Sequence, residues 1–293
     1  MKLFKCLLSA ILSFSPISAM AQDGYAGSWQ LGLQNPVSPI LREIYDFHTM
    51  LVWIIAIITL VVTALLLYAA VKYRRRKNPD PATFAHNTLI EVLWTIVPVV
   101  ILIVIAIPSF RLLYFEDRVP EPELTLKVTG YQWYWGYEYT DYDGLEFLAY
   151  PVPEDEIDES KGQRRLLSTD NPVVVPIGKN IQVLVTSADV LHAFALPSAG
   201  AKKDAVPGRL NETWMRIDEP GTYFGQCSEI CGTGHAYMPI EFKAVPEAEF
   251  NAWVASKGGT AKVLNSETEN PDSIENKLDN PKVDEDNIAN PGV

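Results

Sequence analysis

Two unbroken apolar stretches limit what this chain can become. The first, from about His48 to Val71, reads HTMLVWIIAIITLVVTALLLYAAV and has no charge across its centre. The second, from about Leu89 to Phe110, reads LIEVLWTIVPVVILIVIAIPSF. As helices, both are long enough to cross a hydrocarbon layer roughly 30 Å thick. Pro98 and Pro108 are no obstacle, because membrane helices tolerate proline. The linker KYRRRKNPDPATFAHN carries Lys72, Arg74, Arg75, Arg76 and Lys77 in a cluster, and the positive-inside rule puts that loop in the cytoplasm. Both long ends then face the opposite side.

The start of the chain agrees independently. Lys2 and Lys5, an apolar run and Ala19-Met20-Ala21 read as a secretory signal cut after residue 21. Cys6 leaves with that signal, so the exported chain keeps only Cys227 and Cys231. An exported pair sits where thiols tend to oxidise unless something protects them.

Glu91 stands inside the second apolar stretch, where a charge is costly and usually functional. Its place near the start of the helix allows a plainer reading, a carboxylate reaching the headgroups.

Beyond Glu116 the pattern changes. LTLKVTGYQWYWGYEY, PVVVPIGKNIQVLVTSA, HAFALP, TWMRIDEPGTYFGQ and MPIEFKAV are β-type runs broken by Gly, Pro, Asn and Asp. They predict an antiparallel sandwich or barrel. PEAEFNAWVASK predicts a short closing helix with proline at its start. The polar tail from Gly258 has no apolar periodicity and is expected to be disordered. The expected organisation is a signal peptide over 1–21, an exported segment over 22–47, a transmembrane hairpin over 48–110, an all-β domain over 111–257 and a tail over 258–293. The net charge of −12 disfavours nucleic acid, whose phosphates need a basic face, and suits a basic protein partner.

The run GQCSEICGTGHAYM (225–238) concentrates the chemistry. A disulfide between Cys227 and Cys231 would close a very small loop and leave His235 and Met238 without a role. Structural zinc has no use for a thioether and commonly spaces its cysteines by two. A thioredoxin-type redox pair also has a two-residue gap, with a helix following. Attached haem needs Cys-x-x-Cys-His. Copper accommodates thiolate, thioether and imidazole together. His192, in SADVLHAFALP, is the only other histidine beyond the membrane stretches, since His48 and His86 flank them. Two thiols, two imidazoles and a thioether exceed one tetrahedral metal and suit two copper ions bridged by both sulfurs.

Taken together, HNTLIEVLWTIVP, YQWYWGYEYTD, SADVLHAFALPS, KDAVPGRLN and GQCSEICGTGHAYMPI resemble subunit II of the haem-copper cytochrome c oxidases of bacterial or mitochondrial type. The resemblance covers about Asn35 to Lys257. It implies a cupredoxin-like (Greek-key) domain carrying the dinuclear copper centre CuA, with electrons taken from cytochrome c and passed to haem in subunit I for oxygen reduction coupled to proton translocation. Carried over residue by residue, it implies that Cys227 and Cys231 bridge both coppers. His192 and Met238 complete one, and His235 and the Glu229 carbonyl complete the other. The Glu229 side chain then helps bind a magnesium or manganese ion shared with subunit I. Trp133 is implied as the residue that receives the electron, and Glu91 as the opening of a proton-uptake route. Glu138, Asp141, Asp143, Glu146 and Asp189 are implied as a docking field for a basic cytochrome c. Subunits I and III, cytochrome c and membrane lipid are the expected partners. The expected location is the inner membrane, multi-pass, with the N-terminus and β domain in the periplasm.

Three rivals fit less well. A copper-delivery protein with Cys-x-x-x-Cys predicts a βαβ pattern, one anchor helix and no Met238. A quinol-oxidase subunit would lack this ligand set. Nitrous oxide reductases carry a similar loop without the membrane hairpin. Oxygen chemistry on this chain is excluded for want of spare histidines. No function is assigned to PEDEIDESKGQRRLLSTD (153–170) or to the acidic tail.

Overall fold

The computed structural model describes residues 24–80 and 83–262. The expected signal peptide lies outside them, as does the tail from residue 263 onward. Helix α1 (Pro39–Lys72) and helix α2 (Thr88–Asp117) contain the two apolar stretches and extend past them. The extensions mix apolar and charged residues, and Ile40 and Leu41 at the start of α1 are buried. The apolar windows of both helices are unburied, with mean hydropathies of 2.9 and 2.8. A helix that is apolar on all sides needs lipid or protein around it.

Ser38 starts α1: its Oγ accepts the Leu41 N–H at 2.9 Å and donates to the Ala199 carbonyl at 2.7 Å. One hydroxyl therefore caps the helix and stitches it to the β domain. Asn87 caps α2 by accepting the Ile90 N–H at 3.2 Å. At the other end of α2, the Phe115 carbonyl accepts the Trp214 indole N–H at 3.2 Å, and the two rings meet edge to face.

The β domain has two principal sheets. Strands β1 (Leu124–Tyr131), β2 (Tyr134–Tyr139), β3 (Tyr142–Asp143) and β4 (Glu146–Ala149) come first. β5 (Val173–Pro176), β6 (Ile181–Ser187), β7 (His192–Leu196) and β8 (Ala201–Ala205) follow. β9 (Asn211–Met215), β10 (Gly221–Gln226) and β11 (Pro239–Val245) come next, followed by helix α3 (Glu247–Ser256) and the two-residue strand β12 (Thr260–Ala261). One sheet has the order β4-β2-β1-β6-β9, a second has β10-β11-β5, and β7 pairs with β8.

Alternation places the core. In β1, Leu124, Leu126 and Val128 point inward, and in β6 Ile181, Val183 and Val185 do the same. They meet Phe194, Ile240 and Phe242 from the other strands in one apolar cluster.

A two-helix hairpin followed by an all-β cupredoxin-like domain is therefore the architecture, with one departure from expectation. The sandwich is not purely antiparallel, because β1 runs parallel to β6 and β5 runs parallel to β11. The run PVVVPIGKNIQVLVTSA turns at Gly178, where φ is +74°. It sends β5 and β6 into different sheets, and each then meets a partner distant in sequence.

Candidate metal centre

Strands β10 and β11 pair antiparallel, with Gln226 opposite Pro239. Cys227 directly follows the first strand and Met238 directly precedes the second, so the ladder sets the two ends of the loop side by side. The Cys227 N–H to Met238 carbonyl bond at 3.4 Å closes that end. The loop is joined to β7 through the Ser228 N–H on the Ala193 carbonyl at 3.0 Å. That brings in His192, the first residue of β7.

The donor atoms converge on a pair of free thiols. Cys227 Sγ and Cys231 Sγ lie 3.9 Å apart and form no disulfide. His192 Nδ1 is 3.8 Å from Cys227 Sγ, and the Glu229 carbonyl oxygen is 3.3 Å from it. His235 Nδ1 and Met238 Sδ each lie 3.5 Å from Cys231 Sγ. His192, Cys227, Cys231 and Met238 are buried, while His235 is half-buried. Burial, followed by the neighbouring Cys227, pushes the Cys231 thiol up to about 12. Two thiols this close cannot both ionise in a buried site without a cation between them. A set of soft sulfur donors with imidazoles suits copper.

The tip of the β1–β2 hairpin leans on the same loop. The Gln132 side-chain amide and the Trp133 indole N–H both donate to the Cys231 carbonyl, at 2.8 Å and 3.2 Å. Trp135, fully buried, donates its indole N–H to the Met238 carbonyl at 3.2 Å and meets the His192 ring at 5.9 Å. Residue spacing carries no sign of the Gln132 contact, nor of the two glycines that admit the rings. A Cβ on Gly130 would lie 2.9 Å from His192 Cδ2, and one on Gly234 would lie 2.3 Å from Trp133 Cδ2. Nor did it show the ring stack of Tyr131, Tyr134 and Tyr150 beside the tip, with centroid separations of 4.8 Å and 4.6 Å.

The five acids expected to form a docking field are dispersed. Glu138 and Glu146 are cross-strand partners on β2 and β4, with Lys127 pairing to Glu138 at 2.8 Å. Asp141 accepts the Thr125 N–H, and Asp143 lies in β3; both follow the end of β2 opposite the Trp133 tip. Asp189 stands at the metal cluster, its Oδ1 2.8 Å from His192 Nε2. Burial acts to raise the Asp189 carboxyl. Hydrogen bonds from His192 and from the Val190 and Gln132 N–H groups outweigh it and hold the carboxyl below the usual carboxylate range. Glu91 closes the first turn of α2, its Oε1 accepting the Asn87 N–H at 3.1 Å.

The segment 153–170 docks firmly. The Gln226 side chain donates to the Leu166 carbonyl at 3.1 Å, Glu241 accepts the Thr169 N–H at 2.7 Å, and the Arg164 guanidinium lies 3.6 Å over the Tyr25 ring.

Comparison with known proteins agrees with this architecture in both halves. Residues 26–112 match the transmembrane domain of cytochrome c oxidase subunit II, and residues 124–245 match its periplasmic domain. A probable cytochrome c oxidase subunit 2 of Rickettsia prowazekii is 48% identical over 234 residues, covering 80% of this chain and 74% of that protein. Cytochrome c oxidase subunit 2 of Oenothera berteroana is 48% identical over 237 residues, covering 79% of this chain and 91% of that protein. A crystal structure of the periplasmic domain of subunit II of cytochrome oxidase from Bradyrhizobium japonicum is 50% identical. It covers 48% of this chain and 97% of that one, with a TM-score of 0.44. With both domains matched and 48% identity to relatives aligned over about four fifths of the chain, this chain belongs to the cytochrome c oxidase subunit II family, as a membrane component of an oxidoreductase complex.

Proposed function

We propose that this chain takes electrons from cytochrome c and passes them to haem in subunit I of the oxidase, where oxygen is reduced to water and protons are translocated. The observation that carries this reading is the convergence of four further donor groups on the Cys227–Cys231 sulfur pair. Cys227, Cys231, His192, Met238, His235 and the Glu229 carbonyl would together hold two copper ions. Bound there, a copper pair supplies a one-electron relay whose change in charge is spread over two metals.

The remaining work belongs to the chain. The β10–β11 ladder holds Cys227 and Met238 at fixed separation, which favours a site that keeps its shape as charge changes. Burial excludes water from both sulfurs. Trp133 is half-buried and its indole N–H reaches the Cys231 carbonyl, so it would receive the electron near the surface and lead it to a ligand's backbone. The Glu229 side chain would bind a magnesium or manganese ion shared with subunit I. Glu138, Asp141, Asp143, Glu146 and Asp189 would give the domain the negative field that attracts a basic cytochrome c. Glu91 would open a proton-uptake route, a reading supported by its place at the first turn of a membrane helix.

The hairpin would sit in the inner membrane against subunits I and III, with the N-terminus and the β domain in the periplasm. The basic cluster from Lys72 to Lys77 supports that orientation.

The test is stopped-flow mixing of reduced cytochrome c with the purified oxidase complex and with its Trp133→Leu variant. The variant should keep its copper spectrum and lose most of the rapid donor oxidation. Equal rates in the two would remove Trp133 from the route, and a complex in which Cys227→Ser still accepts electrons at full rate would contradict the proposed site.

A further inference from the structure

Asp189 has a different place from the other exported acids. Its side chain is about one-third exposed, at 32%, whereas that of its partner His192 is wholly buried, at 0%. Each carboxylate oxygen is committed. Oδ1 accepts from His192 Nε2 at 2.8 Å and from the Val190 N–H at 2.6 Å, and Oδ2 accepts the Gln132 N–H at 2.7 Å. The Asp189 N–H in turn donates to Ser187 Oγ at 3.2 Å, which ties the turn back to the end of β6. A surface acid whose role is to attract a distant cation has no need of such commitments.

The geometry points to Asp189 as the positioning residue for His192, and through it for the buried half of the metal centre. This rests on the copper reading above.

A carboxylate oxygen accepts hydrogen bonds, so the ring nitrogen facing Asp189 Oδ1, Nε2, is the one that donates. That leaves the Nδ1 lone pair free on the side facing Cys227 Sγ, 3.8 Å away. The ring has little other freedom, with Gly130 against Cδ2 and Trp135 edge-on at 5.9 Å. Carboxylates behind a ligating imidazole fix its tautomer and orientation and raise its basicity, and losing one typically weakens metal binding about 10- to 100-fold. The same carboxylate holds Gln132, next to Trp133, so one side chain sets the ligand ring and the neighbouring hairpin tip in register.

Asn at this position is nearly isosteric but carries one acceptor oxygen and an NH2 donor. If the oxygen stays on His192, the NH2 faces the Gln132 N–H; if the amide turns over, the NH2 faces Nε2–H. Either way one contact becomes donor against donor.

The experiment compares the purified oxidase with Asp189→Asn, Asp189→Glu and Glu138→Gln. Copper retention is measured against a graded chelator, the copper absorption and EPR spectra are recorded, and KM for cytochrome c is followed with salt. Asp189→Asn is expected to lose copper at about 10- to 100-fold lower chelator concentration with an altered spectrum. Asp189→Glu, which keeps the carboxylate, should recover part of both, and Glu138→Gln should change only the salt-dependent KM. Wild-type copper retention and spectra in Asp189→Asn, with a shifted KM, would leave Asp189 a docking acid alone and overturn the proposal. A wild-type chain that holds no copper would overturn the copper reading and this inference with it.

Discussion

A Cβ on Gly234 would stand 2.3 Å from Trp133 Cδ2 and 2.7 Å from Cε3, inside any contact a real side chain makes. Trp133 therefore lies flat on the metal loop because residue 234 has no side chain. Gly234→Ala must push the indole outward or shift the loop that carries His235 and Cys231. Inserting one methyl in a packed site typically costs about 1–3 kcal/mol. The variant should melt earlier, and the Trp133 fluorescence should report a wetter indole; unchanged melting and emission would show that the loop yields freely. The proposed donor set was legible in the sequence because four of its six groups come as side chains from one short run, and the structure brings those side chains together. Asp189 was legible only as a negative charge. Its contact with His192, the one that makes it ligand-orienting, spans only three residues, but spacing alone does not turn the carboxylate onto the ring, and its contact with Gln132 spans 57. Glycine is the hardest case, since Gly130 and Gly234 matter through rings brought to them by other strands.

At the level of elements, the seam between α1 and the β domain carries a titratable link. Asp218 accepts from Arg216 Nε at 2.8 Å and also pairs with Arg42 in the first turn of α1. Burial acts to raise its carboxyl, but Arg42 and Arg216 outweigh burial and hold it below the usual carboxylate range. A carboxyl lowered by folding stabilises the fold above its unfolded value, and that stability is lost as pH falls through the folded value. Asp218→Asn should therefore lower the melting temperature at neutral pH and flatten the acid side of the stability profile. An unchanged profile would mean that the Arg42 and Arg216 contacts contribute nothing. The screened exposure of Arg42, 46%, makes the effect modest. Ser38→Ala tests the other stitch of this seam, with an expected loss of about 1 kcal/mol from the cap alone. Strands β1, β2, β5, β6, β7, β9, β10 and β11 were legible as β-type runs, while β3, β4 and β8 fall outside those runs. The parallel pairings of β1 with β6 and β5 with β11 were not, because local pattern records which face is buried and not which distant strand covers it.

Over the whole molecule, hydropathy alone made the hairpin visible, since a helix without a polar face has few places to go. The soluble half needed the residues of its loop to say what it was for. The proposed orientation predicts that a thiol-specific, membrane-impermeant label applied to intact spheroplasts reaches a cysteine introduced in the β domain and not one introduced at Lys77; the reverse would invert the hairpin. The stitches of Ser38 to Ala199 and Trp214 to Phe115 tie both helices to the β domain, so the metal loop is held on a frame anchored in the membrane. The proposed role turns on two copper ions held between Cys227 and Cys231. Copper analysis and EPR of the purified chain in its oxidase complex should find two coppers per chain at this site and one unpaired electron shared equally between them. A single copper with a localised electron, or a Cys227–Cys231 disulfide that takes up no metal after reduction, would contradict it.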